Sequence, residues 1–155
     1  MLKTTKSFGA SLLINTNKLK IYSSNALAYN DFKFETFIDD TDDYSGNDLT
    51  GVPELTINSR LNFDTTFGLY ALINFNHIGK IPIRDDNTVY SESYQLVNSK
   101  IGFKSSDSKT FQFDVFLGLN NIFNEKYASM LLINAGSFGQ GKKGLKSFGL
   151  QIEIW

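Results

Sequence analysis

At 155 residues, with 41% hydrophobic and 20% charged side chains, the chain has the length of one ordinary domain and a composition that by itself reads as globular. Fifteen basic against sixteen acidic residues leave a net charge of −1, which supplies no field for holding a phosphate backbone and excludes nucleic acid as an expected partner. The absence of cysteine excludes disulfides, thiolate nucleophiles and Cys-ligated metal, and no run approaches the roughly 18 consecutive apolar residues of a membrane-spanning helix.

Fourteen Phe, seven Tyr and only two Pro, with β-branched and aromatic residues in short runs, mark the chain as all-β. Period-two alternation predicts seven strands, at about 5 to 14, 19 to 36, 54 to 64, 67 to 79, 93 to 104, 110 to 121 and 145 to 155. Ahead of the first, Lys3 and Lys6 precede Phe8 to Ile14 and faintly imitate a signal peptide. A strand is preferred because the apolar run is short and no small-residue cleavage site follows. The second strand is the least regular, since Ser23, Ser24 and Asn25 interrupt any apolar stripe.

The acidic stretch Asp39 to Gly46 is the one metal-like cluster. Hard cations need several oxygens converging from a short loop, and Asp40, Asp42 and Asp43 supply some. The calcium-loop spacing fails, with Tyr44 in place of an oxygen ligand and Gly51 where a terminal Glu belongs, so a solvated loop is the expectation.

The third strand alternates cleanly. Leu55, Ile57, Ser59, Leu61 and Phe63 share one face; Thr56, Asn58, Arg60, Asn62 and Asp64 share the other. The fourth repeats the scheme, with Phe67, Leu69, Ala71, Ile73 and Phe75 opposite Gly68, Tyr70, Asn74 and Asn76, blurred by Leu72 and Ile78. An apolar exterior over a wet interior places Arg60, Asn62, Asn74 and Asn76 as candidates for a barrel lumen. His77, the sole histidine, falls on the apolar face without an evident partner and reads as structural. The sixth strand sets Phe111, Phe113, Val115, Leu117 and Leu119 against Gln112, Asp114, Gly118 and Asn120, with Phe116 as the misfit. Its span matches the 9 to 11 residues, roughly, that a tilted strand needs to cross a bilayer.

Connections alternate in length. Asn15 to Lys18, Thr65-Thr66 and Ser105 to Lys109 are tight and polar, whereas Phe37 to Pro53, Lys80 to Glu92 and Asn124 to Gly144 are long. Short turns at one end and long loops at the other are the layout of an up-and-down transmembrane barrel with periplasmic turns and extracellular loops. The third long loop joins apolar Met130 to Ile133 to a Gly-rich part ending at Lys143; it reads either as a ligand-enclosing loop or as an ordinary mobile one. No linker or second domain interrupts residues 1–155, no carboxylate pair sits in a catalytic motif, and no phosphate loop precedes a helix. An enzyme is not expected, and no cofactor.

Three stretches carry a resemblance. Gly51-Val-Pro-Glu-Leu-Thr-Ile-Asn-Ser-Arg-Leu-Asn-Phe63, Asn76 to Lys80 followed by Tyr94 to Phe103, and Gly118-Leu-Asn-Asn-Ile-Phe-Asn-Glu-Lys-Tyr127 resemble, in order, the C-terminal barrel portion of TonB-dependent outer-membrane receptors. Physical reasons accompany the motifs. Gly51 and Pro53 set the angle at which the chain joins the next strand, the amides of Asn120 to Asn124 tie off backbone groups as the ladder ends, and Phe123 and Tyr127 suit a headgroup-level girdle.

The resemblance implies a transporter of siderophore-iron, cobalamin, other metal chelates such as nickel complexes, or glycans, located in the bacterial outer membrane. It implies a barrel of about 22 strands filled by an N-terminal plug, against seven strands and no plug in this sequence. The implied partners are outer-membrane lipid, the remaining strands and plug of the same receptor, the barrel assembly machinery, and the TonB complex only through the plug. The last strand resembles the family's assembly signal, with Phe148, Leu150, Ile152 and Ile154 on one face and Trp155 one step out of register. Two other readings stay open from the residues alone: a small autonomous outer-membrane barrel with a structural or adhesive role, and a soluble β-sandwich that binds carbohydrate through surface aromatics.

Overall fold

A computed structural model describes residues 2–105, 112–128, 130–134 and 147–154. Alternating side chains fold into strands β1 (Leu2–Asn15), β2 (Leu19–Lys33), β5 (Leu55–Thr65), β6 (Leu69–Ile78), β7 (Tyr94–Lys104), β8 (Phe113–Asn120) and β9 (Ser147–Ile154), with a two-residue pair β3 (Ile38–Asp39) and β4 (Asp42–Asp43) inside the first long loop. Described residues contain no helix.

The seven long strands form one antiparallel sheet in the order β1-β2-β5-β6-β7-β8-β9, each next to its neighbour in sequence. Such a meander needs only hairpin connections. β1 and β9 occupy opposite edges and do not pair, so the sheet is an unclosed arc of a barrel. β5, β6 and β7 run 11, 10 and 11 residues, matching the length expected of tilted membrane strands.

Register sorts the side chains into rows. Ile21↔Phe63, Phe63↔Ala71, Ala71↔Ile101 and Ile101↔Leu117 run across the apolar face. On the other face Ser24↔Arg60, Arg60↔Asn74 and Asn74↔Asn98 run in parallel. Apolar residues stay uncovered: Phe8, Leu12, Leu61, Ile73 and Ile101 are all exposed, and Ile83 is the only buried hydrophobic residue among those described. A β-sandwich must bury its apolar residues between two sheets. With a single layer and an uncovered apolar face, that reading fails here. An autonomous barrel also finds no support, because the strands do not close.

Several boundaries shift from expectation. β1 spans Leu2–Asn15 rather than 5 to 14, and β2 ends at Lys33 because the chain there turns into the first long loop. β6 begins at Leu69, since Gly68 sits at φ 99° in the turn and Thr65 Oγ1 donates to the Leu69 carbonyl at 2.8 Å. A Cβ at Gly68 would collide with the Lys104 carbonyl oxygen, so the turn needs glycine for space as well as dihedral freedom. Phe111, Trp155, and most of the Ser105 to Lys109 turn and of the Gly-rich part of the last loop lie outside the described residues.

Candidate functional site

The polar face follows from alternation alone, and the register brings its residues together. A hollow of about 450 Å3 lies against it, lined in part by Tyr22, Asn58, Arg60, Asn74, Asn76 and Asn98. Arg60 Nε donates to Asn74 Oδ1 at 3.1 Å across the β5–β6 pair. Arg60, Asn74 and Asn76 thus share one site. Asn62, the fourth candidate, sits opposite Tyr22 and Leu72 on the same face, with its Oδ1 buried and lacking a hydrogen-bond partner. Alternation already places Asn58 on the polar face without naming it a lumen candidate; Tyr22 and Asn98 are not singled out by the sequence, although alternation through β7 places Asn98 on the polar face.

Two rows from Arg60 and Asn74 toward the short-turn end, an aromatic cluster replaces the amides. Tyr70, Gly102 and Phe116 are cross-strand neighbours on β6, β7 and β8. Tyr70 lies over Gly102 so closely that an added Cβ would come within 2.5 Å of the Tyr70 hydroxyl oxygen and 2.8 Å of Phe116 Cβ. The Tyr70 hydroxyl donates to Asp114 Oδ1 at 2.8 Å. The Lys100 ammonium rests 3.5 Å from the Phe116 ring centroid and 5.3 Å from that of Tyr70, a cation–π arrangement. Phe116, the misfit of its strand, therefore serves as the floor for a cation.

At the long-loop end, the loops are stitched together. Asp85 Oδ1 accepts from Thr50 Oγ1, Asp85 Oδ2 accepts from Asn134 Nδ2 at 2.7 Å, and the Asp85 carbonyl accepts from Asn47 Nδ2 at 2.8 Å. The Asp85 N–H donates to Asn134 Oδ1 at 3.2 Å. All three loops thus meet at one residue. Asn87 adds a reciprocal pair with the Asp48 backbone, accepting its N–H at 2.6 Å and donating to its carbonyl at 3.0 Å. Lys33 and Asp48 form an ion pair at 2.7 Å beneath them. Buried Ile83 accepts from the Asn134 N–H at 2.8 Å through its carbonyl, and Gly51 (φ 83°) donates to the Pro82 carbonyl at 2.9 Å. Burial and the nearby Asp48 carboxylate push the Tyr90 hydroxyl up from its usual range.

The stretch after β8 ends the ladder through side-chain amides. Asn121, 5% exposed and at φ 50°, accepts the Glu125 N–H at 2.8 Å and donates to the Glu125 carbonyl at 3.0 Å. Its own N–H donates to Asn98 Oδ1 at 2.8 Å. Tyr127 stacks on Tyr94 at 5.0 Å between centroids, and Phe123 is 72% exposed, as a membrane-boundary aromatic would be.

The acidic stretch forms a tight hairpin. Ile38↔Asp43 and Asp39↔Asp42 pair around Asp40 at φ 52°, and Asp43 Oδ1 accepts the Ser45 N–H at 2.9 Å. Hydrogen bonds from Ser45 hold the Asp43 carboxyl below its ordinary range. Among the described residues no group of three or more His, Cys, Asp and Glu is placed to hold a metal ion. His77 stands opposite Ile57 and Gln95 in β6. Phe148, Leu150 and Ile152 occupy alternate positions of β9, opposite Leu119, Leu117 and Val115, and Ile154 is opposite Phe113.

A single-layer arc of antiparallel strands, apolar on one face, polar on the other, with short turns at one end and stitched loops at the other, narrows the comparison to membrane barrels. The family model of the TonB dependent receptor-like beta-barrel matches residues 3–122. The chain belongs to this family. TonB-dependent receptors are outer-membrane receptors and transporters rather than enzymes, and the family implies embedding in the outer membrane and association with the rest of the receptor. The matched span takes in the hollow, the aromatic cluster and, of the hub, Asp85 with its partners Asn47 and Thr50.

Proposed function

We propose that the chain is the C-terminal part of the barrel domain of a TonB-dependent transporter in the bacterial outer membrane. Its cargo is drawn from siderophore-iron, cobalamin, other metal chelates or glycans, and transport uses inner-membrane energy through a plug carried by the rest of the receptor. The supporting observation is the two-faced sheet: uncovered Leu12, Leu61, Ile73 and Ile101 suit hydrocarbon, while Arg60, Asn62, Asn74 and Asn76 suit a wet lumen. Unpaired strand edges are costly in lipid, which offers no hydrogen-bond partners, so β1 and β9 call for further strands.

β9 supplies the assembly signal in this reading. Phe148, Leu150, Ile152 and Ile154 engage the barrel assembly machinery, and Trp155, one step out of phase in the sequence, is a residue type suited to a membrane–water boundary.

Paired cysteine substitutions test the membrane reading, since the chain has no native cysteine. Leu61→Cys and Ile101→Cys should react with a lipid-soluble maleimide, and Asn74→Cys with a water-soluble one, in the full-length receptor. The reverse labelling pattern would sink it. For transport, a strain lacking the receptor should fail to grow on one limiting chelate or glycan, and collapse of inner-membrane energy should mimic the deletion. Folding of this chain alone into a heat-modifiable monomer would instead establish an autonomous barrel.

A further inference from the structure

An amide lies where the membrane reading places hydrocarbon. Along β2 the apolar face carries Leu19, Ile21, Ser23, Asn25, Leu27 and Tyr29, and the Lys33–Asp48 ion pair marks water beyond them. Asn25 thus falls near the middle of the apolar stretch of its own strand. Its neighbours in register are Ala10 on β1 and Ser59 on β5, and Ser59 is the middle residue of Leu55, Ile57, Ser59, Leu61 and Phe63. Large side chains frame this row. Phe8, Leu27 and Ile57 stand on its long-loop side, and Leu12 and Leu61 on its short-turn side.

Asn25 is exposed, and its Nδ2 donates to Ser23 Oγ at 3.1 Å. Among the described residues this is the amide's only hydrogen bond, so one N–H and the carbonyl oxygen remain. Lipid supplies neither donor nor acceptor, and an amide at this depth is satisfied only by more protein. Further strands of the barrel do not provide it. β1 and β5 already flank β2, and strands added beyond β1 or β9 extend the wall sideways rather than over its outer face.

The unused groups are self-complementary. Two copies of Asn25 facing each other across a two-fold axis exchange two N–H···O=C bonds without any third group, while Ser23 holds the other N–H and sets the plane of each amide. An axis along the membrane normal sets two barrels upright side by side and brings residues of equal depth together. Ala10 and Ser59 are small, so two convex walls approach closely at this row. An unrelated partner would need a matching amide at the same depth; a second copy has one by identity.

We propose that Asn25 is the centre of a lateral contact, within the membrane, between two copies of this barrel. The assignment rests on the reading of the apolar face as lipid-facing.

The test uses the full-length receptor, cleared of any cysteine outside this chain, in native outer membranes at low receptor density. Ser59→Cys, beside the axis, should join to a second Ser59→Cys receptor through a short lipid-soluble bifunctional maleimide, whereas Ile101→Cys, two strands further round the same face, should not. Adding Asn25→Leu, which suits lipid and leaves the barrel folded, should lower the Ser59→Cys yield by about tenfold. Equal yields at Ser59→Cys and Ile101→Cys would mean random encounter and overturn the proposal, as would an Asn25→Leu yield equal to that of the parent. Joining of Ser59→Cys to a different protein overturns it too, because the occupant is then not a second copy. Asn25→Cys reports on the underlying reading separately: labelling from water rather than from lipid would remove the membrane face itself.

Discussion

Replacing Gly102 by alanine should destabilise the barrel by about 2 to 4 kcal/mol, through Tyr70 rather than through glycine's own backbone. The new methyl group would stand 2.5 Å from the Tyr70 hydroxyl oxygen and 2.8 Å from Phe116 Cβ, both closer than real Cβ atoms approach other heavy atoms. Tyr70 is the mobile partner and swings away, giving up its 2.8 Å hydrogen bond to Asp114 and its ring's position near Lys100. A hydrogen bond to a charged group contributes roughly 1.5 to 3 kcal/mol, and overpacking adds roughly 1 to 3, with wet surroundings favouring the low end of each. Phe116 cannot swing, because its Cβ is tied to the backbone of β8. A double-mutant cycle isolates the effect: Gly102→Ala is measured in the parent and in Tyr70→Ala, using urea midpoints of the full-length receptor in lipid vesicles. The cost should fall by more than half in the Tyr70→Ala background. An equal cost in both backgrounds would refute the steric argument and assign the effect to strand propensity.

Asn121→Ala should cost about 2 to 3 kcal/mol, since it removes a buried amide that bonds the Glu125 backbone twice and places alanine at φ 50°; faster proteolysis just after β8 on intact cells is the check. Asp85→Ala should loosen all three long loops together, with hydrogen exchange rising about tenfold at 47–51 and 133–134 as well as at 84–87; a rise confined to 84–87 would show that the loops are independent. Asp43 and Asp86 should titrate below the ordinary aspartate value, because hydrogen bonds from Ser45 and Thr88 favour their charged forms. Each depressed carboxylate stabilises its turn above the unfolded pKa, near about 4, and loses that contribution as pH falls through the lower folded value. Ser45→Ala should raise the Asp43 value only part of the way in a carboxyl NMR titration, because the residue-45 N–H still donates to it, and leave Asp86 unmoved.

The strands were legible because a two-residue period is local. Leu61 and Asn62 declare their faces without reference to anything distant, and the antiparallel register then assembles Arg60, Asn74 and Asn76 as expected. The role of Phe116 was not legible. Alternation places it on the polar face as a misfit, but its role as an aromatic floor depends on Gly102 opposite and on Lys100, a strand away. The hub at Asp85 was equally hidden, since Asn134 lies 49 residues further along and neither residue belongs to a periodic pattern. Turn chemistry was partly legible. Gly51 and Pro53 marked the approach to β5, and the amides near Asn121 marked the end of β8, but the hairpin inside the acidic stretch was concealed by residues that are poor strand formers. Its aspartates are held by two-residue pairing and by Ser45, not by convergence on a cation.

With Ile83 as the only buried hydrophobic residue among those described, the usual map of evolutionary constraint is turned inside out. A close-packed protein interior resists a change of even one methylene, whereas a fluid acyl chain reshapes itself around leucine, isoleucine or phenylalanine alike. Drift among large apolar residues should therefore run freely at positions such as Leu12, Leu61 and Ile101. Close steric fitting is confined to the opposite face and the loop hub, where Tyr70, Gly102 and Asp85 meet fixed neighbours. Lineages of this barrel should consequently keep their polar residues and exchange their greasy ones, the reverse of what a water-soluble domain of the same length would record.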